Sequence, residues 1–183
     1  PQFTTRSRKT RWLSDWSSDV CSSDLSLTYL QQRADVDPLR IGMGGLSYGG
    51  ITTFNTWLVD LRIAAAALIC GGVGSWDTYL RMRQNRAYHG ISMWIPNQLS
   101  FGEEGDFAAA MAPRPLMLWA PHEDIAMPKE GVDRFVQIVR PAYIRAGAPE
   151  ALVVHQQPGI HELSFEAFEA MARFFDAHLR KAR

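Results

Sequence analysis

"LRIGMGGLSYGG", Leu39 to Gly50, decides how the rest of the chain reads. Its first half is a short apolar run ending in glycines, the pattern of a buried strand reaching a turn. The adjoining stretch "YGGITTFNTWLVD", Tyr48 to Asp60, carries Ile51, Phe54, Trp57 and Leu58 at helical spacing. Between the two, Gly45, Ser47 and Gly49 form G-x-S-x-G. With a strand before it and a helix after it, this pattern reads as a nucleophile elbow. Small flanking residues let the chain turn sharply and hold the serine strained and exposed at the helix N-terminus. The competing reading is a Gly-rich turn whose serine merely caps the helix; the strand, the helix and the doubled glycines together favour the elbow.

On both sides of this stretch strand and helix signals alternate. Ser26 to Arg33 reads as the end of a helix, stopped by a turn containing Pro38. "IAAAALIC", Ile63 to Cys70, is the next buried strand. After an irregular stretch from Gly71 to Asp106 come the strand "PLMLWAP", a helix from Lys129 to Ala146, the strand "ALVVHQQ" and an amphipathic helix from Leu163 to Leu179. Apolar strands separated by helices predict an α/β fold with a parallel sheet covered on both faces. Ligands of such sheets bind beyond the carboxyl ends of the strands. There "HEDIAMP" offers Asp124 as a carboxylate that could orient a histidine, with Glu123 its nearest competitor, and "QQPGIHEL" places His161 in a loop before a helix. Singly, an acid or a histidine in a loop is ordinary. The chain order Ser, Asp, His, each beyond its own successive strand, is that of one hydrolase architecture and not of the other serine-triad folds.

From Ser26 onward the chain resembles the C-terminal half of a serine α/β-hydrolase. It is most similar to the dienelactone-hydrolase and acetyl-xylan-esterase-like group, which borders the prolyl-oligopeptidase catalytic domains. "DVDPLRIGMGGLSYGG", "APRPLMLW", "HEDIAMP" and "GIHE" carry the resemblance. It implies Ser47 as nucleophile, Asp124 as acid and His161 as base. The backbone N–H of Tyr48, the residue after the nucleophile, is the implied oxyanion donor, and a second donor would come from a loop upstream of Ser26. Dienelactone hydrolases carry cysteine at the elbow, so Ser47 moves the chemistry toward ordinary ester hydrolysis through an acyl-enzyme. An oligopeptidase-like peptidase, an acyltransferase and a non-catalytic fragment are the alternatives. The implied partner is a small-molecule ester, with no cofactor and no metal.

The stretch from Gly71 to Asp106 is longer than an ordinary connection and leaves the sheet at the end that carries the site, which makes it the expected specificity insertion. Trp76, Tyr79 and Trp94 could line a substrate pocket there; equally, such aromatics could only cover the sheet edge. Acidic and basic residues number 19 each, and the arginines are scattered, which argues against a nucleic-acid partner. No apolar run is long enough to cross a membrane. Of two cysteines, Cys21 lies in a foreign-looking stretch and Cys70 at the end of a strand, so no disulfide framework or zinc site is expected. Cys70 and Trp119 read as core. "DWSSDVCSSDL", Asp15 to Leu25, has neither strand nor helix period. Back-translated, it resembles a sequencing-library adapter in one frame. Pro1 to Leu25 is therefore expected to be an irregular, non-native scar, with the catalytic domain beginning near Ser26 and lacking its upstream part. Localisation and oligomeric state stay open.

Overall fold

Seven consecutive apolar residues, Ile63–Ile69, form the inner strand β2 of a four-stranded parallel sheet in a computed structural model that describes residues 22–78, 95 and 97–180. A strand without alternation suits a position buried on both faces. Beside it lie β1 (Ile41–Leu46) and β3 (Leu116–Trp119), and β4 (Leu152–His155) completes the order β1-β2-β3-β4. The register pairs Leu46 with Ile69, Ile69 with Trp119 and Trp119 with His155, so the carboxyl ends of all four strands are level.

A helix follows each strand: α2 (Tyr48–Val59), α3 (Glu104–Ala110), α4 (Lys129–Arg145) and α5 (Phe165–Leu179), with α1 over residues 22–31 preceding the sheet. Strand side chains alternate between faces. Ala66, Leu68, Leu116 and Leu118 face Phe54 and Trp57 of α2 and Phe135 and Tyr143 of α4, with Leu27 of α1 in the same cluster. On the other face Ala65, Ala67, Ile69 and Met117 pack against Ala167, Ala170 and Phe174 of α5. Each fully buried large side chain of this kind contributes about 1.5–3 kcal/mol relative to exposure. The guanidinium of Arg114 knits one end together, donating to the carbonyls of Trp57 (2.6 Å), Asp60 (3.1 Å) and Ile63 (2.8 Å). It thereby satisfies the C-terminal end of α2 and fixes the turn into β2.

One boundary differs from the sequence reading. Residues 22–25, expected to be irregular, already belong to α1; Ser26 Oγ donates to Ser22 O, and Asp24 pairs with Arg62. Pro1 to Cys21 lies outside the described residues. At the far end of the stretch expected to form the insertion, about Gly71 to Asp106, α3 starts at Glu104. Glu103 forms a capping box with Asp106 and its carboxylate accepts the N–H groups of Trp76 (2.8 Å) and Asp77 (3.2 Å). Next to it, Glu104 Oε2 is sealed from solvent without a hydrogen-bond partner, and desolvation, reinforced by the charge of Glu103, pushes its carboxyl up to about 8. Among the described residues β1 pairs with β2 alone, leaving its outer edge open, and no helix is long and apolar enough to cross a membrane.

Candidate active site

The turn between β1 and α2 is sharp because two glycines leave room for backbone where a side chain would stand. A Cβ on Gly45 would lie 2.4 Å from the Gly49 carbonyl carbon, and one on Gly71 would lie 2.1 Å from the Ser47 carbonyl oxygen. Ser47 between them is held at φ 57° and ψ −117°, a conformation side chains avoid. Its N–H donates to Ile69 O at 2.8 Å, and its carbonyl accepts from Gly50 (2.9 Å) and Ile51 (3.1 Å), which starts α2. The hydroxyl makes no capping bond to the helix. A side-chain cap is therefore not what holds this serine, and what stands at the sheet's carboxyl end is a residue in a strained conformation. Tyr48 follows as the first residue of α2, its backbone at the positive end of the helix dipole.

Two loops meet beside this turn. Beyond β3 and β4 the main chains continue to pair: Ala120 N–H donates to His155 O (2.9 Å), His122 to Gln157 (2.9 Å) and Glu123 to Gly159 (3.0 Å). The carboxylate of Glu123 in turn accepts the Gly159 N–H. Glu123, the competitor for the acid role, is thus used as a clamp between loops. Asp124 is freed for another task. Its side chain is fully buried, and His161 Nδ1 lies 2.9 Å from Oδ1 and 3.0 Å from Oδ2. Oδ1 also accepts the Ala126 N–H at 2.8 Å, which fixes the carboxylate plane. An ionised carboxylate only accepts, so the proton of this hydrogen bond sits on Nδ1, and in the neutral ring Nε2 is then the acceptor. Among the described residues the Ser47 hydroxyl and the His161 ring are not hydrogen-bonded to each other; Asp124 and His161 are joined, and Ser47 stands at the end of β1, with β2 between it and β3.

Cys70, read from sequence as plain core, sits at this junction. It is 1% exposed, has φ 51°, and its Sγ, a carboxylate oxygen of Asp124 and a ring nitrogen of His161 all lie within 4.8 Å of one another. The thiol donates to the Glu162 carbonyl at 3.5 Å; burial, with Asp124 nearby, pushes its pKa up to about 12. Of the three, His161 and Asp124 are hydrogen-bonded to each other, while the Cys70 thiol is bonded to the Glu162 carbonyl. No local sequence signal pointed to Cys70, since its partners are remote in the chain.

The substrate-binding expectations fare differently. Trp76 is 5% exposed and so presents little surface to a ligand; Tyr79 and Trp94 lie outside the described residues. A cleft of about 240 Å³ opens between Trp119, Pro121 and the 157–160 segment. Neither Ser47 nor His161 lines it.

No family model matches the chain. "Putative hydrolase YtaP" of Bacillus subtilis (strain 168) is 30% identical over 158 residues, covering 85% of this chain and 52% of that protein. Among solved structures, a CE15 glucuronoyl esterase from Caldicellulosiruptor kristjansonii superposes with a TM-score of 0.71 at 18% identity, covering 90% of this chain and 50% of its own. A puromycin-hydrolysing peptidase of Mycobacterium tuberculosis gives 0.67 at 19% identity, covering 88% and 25%. The fold is that of part of an α/β-hydrolase, and the chain spans about half the length of the curated relative it matches.

Proposed function

We propose that the chain carries the triad of a serine hydrolase acting on carboxylic esters, with Ser47 as nucleophile, His161 as general base and acid, and Asp124 as the group that orients and compensates the imidazole. The observation that supports this most strongly is the buried Asp124 carboxylate 2.9 Å from His161 Nδ1, at the same end of the sheet as a serine strained at φ 57°. A serine hydroxyl is a weak nucleophile at neutral pH, so Nε2 of His161 takes its proton as Oγ attacks the ester carbonyl. The positive charge formed on the ring is matched by Asp124 through Nδ1–H. The tetrahedral oxyanion is stabilised by the backbone N–H of Tyr48 at the start of α2. When the C–O bond breaks, Nε2 returns its proton to the leaving alkoxide, and water repeats the sequence on the acyl-enzyme to release the acid and free Ser47.

The serine at the elbow and the "HEDIAMP" and "GIHE" loops favour the dienelactone-hydrolase and acetyl-xylan-esterase-like group, and the likeness to a glucuronoyl esterase agrees with an ester substrate. Likeness to a puromycin-hydrolysing peptidase supports a second reading, a peptidase running the same steps with an amine as leaving group. The test assays p-nitrophenyl acetate and an aminoacyl p-nitroanilide side by side, each with the Ser47→Ala variant as control. Ser47-dependent turnover of the ester well above that of the anilide is the expected result. Preference for the anilide selects the peptidase, and no Ser47-dependent turnover of either by the folded chain overturns the hydrolase reading.

A further inference from the structure

Three consecutive residues connect the nucleophile to the histidine loop. Ile69 accepts the Ser47 N–H through its carbonyl at 2.8 Å, and Gly71 lies so close that any Cβ there would collide with the Ser47 carbonyl oxygen at 2.1 Å. Between them, Cys70 turns its side chain the other way. Its Sγ donates to the carbonyl of Glu162, the residue after His161, at 3.5 Å, while its own N–H is fastened to Trp119 O at 2.9 Å. The sulfur is within 4.8 Å of ligating atoms of both Asp124 and His161.

We propose that Cys70 is a positioning residue, whose thiol ties the His161 loop to the strand end holding Ser47 and so sets the separation of base and nucleophile. This rests on the reading of Ser47, His161 and Asp124 given above. A thiol suits the task physically. Being buried, it keeps its proton, with the pKa pushed up to about 12, so it donates to the Glu162 carbonyl without adding a second negative charge beside Asp124. At 1% exposure it touches no substrate, so its removal acts on the chemical step and not on ester binding. Small displacements suffice, because catalysis by an oriented base falls steeply with misplacement.

Alanine and serine at this position are nearly equal in volume and differ in the donor, so the pair isolates the hydrogen bond. The experiment compares Cys70→Ala and Cys70→Ser with the parent chain in two readouts. One is Ser47-dependent hydrolysis of p-nitrophenyl acetate, and the other the low-field proton resonance of His161 Nδ1–H. Cys70→Ala is expected to lower kcat about tenfold at unchanged KM and to broaden the resonance, with Cys70→Ser restoring both to within about threefold of the parent. Should the alanine variant not fold, Cys70→Gly, whose backbone accepts φ 51° without strain, takes its place against serine. Parent-like values for alanine in both readouts, or equal impairment of alanine and serine, overturn the proposal. An Asp124→Asn control keeps the two levels apart. If that variant retains the resonance, the Asp124–His161 assignment itself is wrong; if it loses the resonance while Cys70→Ala keeps it, only the role of Cys70 falls.

Discussion

Ser47 stores strain that the proposed nucleophile role would explain, and removing the side chain should release it. A non-glycine residue at φ 57° and ψ −117° costs on the order of 1–3 kcal/mol. Ser47→Gly is therefore expected to raise the urea midpoint while abolishing turnover; a lower midpoint would show that the serine side chain stabilises the turn. The G-x-S-x-G pattern was legible, but its glycines are unequal. A Cβ on Gly49 meets nothing within 4 Å, whereas one on Gly45 meets backbone at 2.4 Å. Gly49→Ala should leave stability unchanged or improve it by up to about 1 kcal/mol, and Gly45→Ala should collapse both folding and activity. Thermal melts of the two variants check this. Glu104 gives a pH signature. With its folded pKa raised from 4.5 to about 8, the folded chain holds a proton that the unfolded chain releases between those values, so this group's contribution to stability declines as pH rises through that window. Glu104→Gln, a permanent neutral mimic, should match the parent at pH 4.5 and exceed it at pH 8 by on the order of 1 kcal/mol or more; equal denaturation midpoints at both pH values would contradict the burial of this carboxyl.

At the scale of elements, all four strands were readable because a fully buried parallel strand leaves an uninterrupted apolar run, and α2, α4 and α5 because their apolar residues recur at helical spacing. α3 escaped. "EGDFAAA" places acids and a glycine in a short segment with little periodicity, and its helicity depends on packing, Gly105 lying where a Cβ would be 3.1 Å from Ile138 of α4. The pairing of the acid and histidine loops was equally invisible, since the ladder through Ala120, His122 and Glu123 consists of backbone bonds that almost any residue could make. Arg114 was also missed, because three carbonyls from one helix end and the next strand become its partners only after folding. Arg114→Ala should cost about 2–4 kcal/mol by stranding those carbonyls. Arg114→Lys should recover little of it, since an ammonium cannot reproduce the planar fork. Denaturant titration distinguishes the two; full rescue by lysine would mean that charge alone matters there.

For the whole molecule, the order of the three candidate residues along the sheet was the informative signal, because it depends on topology and not on any one motif. Ser47 follows β1, Asp124 follows β3 and His161 follows β4, and the level register of these strands carries the loops to one end of the sheet. The reach between Ser47 and His161 is a property of the entire assembly, set by β2 and its final residues between them. It is also what no sequence pattern could specify. The chain spans about half of the curated relative it matches, and β1 has an open edge among the described residues, so the competence of Ser47 is best judged without reference to any particular substrate. Covalent phosphonylation by a fluorophosphonate, read by intact mass and peptide mapping, does this. A single adduct on the peptide containing Ser47 is predicted, absent in Ser47→Ala and slowed at least about a hundredfold in His161→Ala. An unmodified folded chain, an adduct on another residue, or labelling that survives Ser47→Ala would contradict the account.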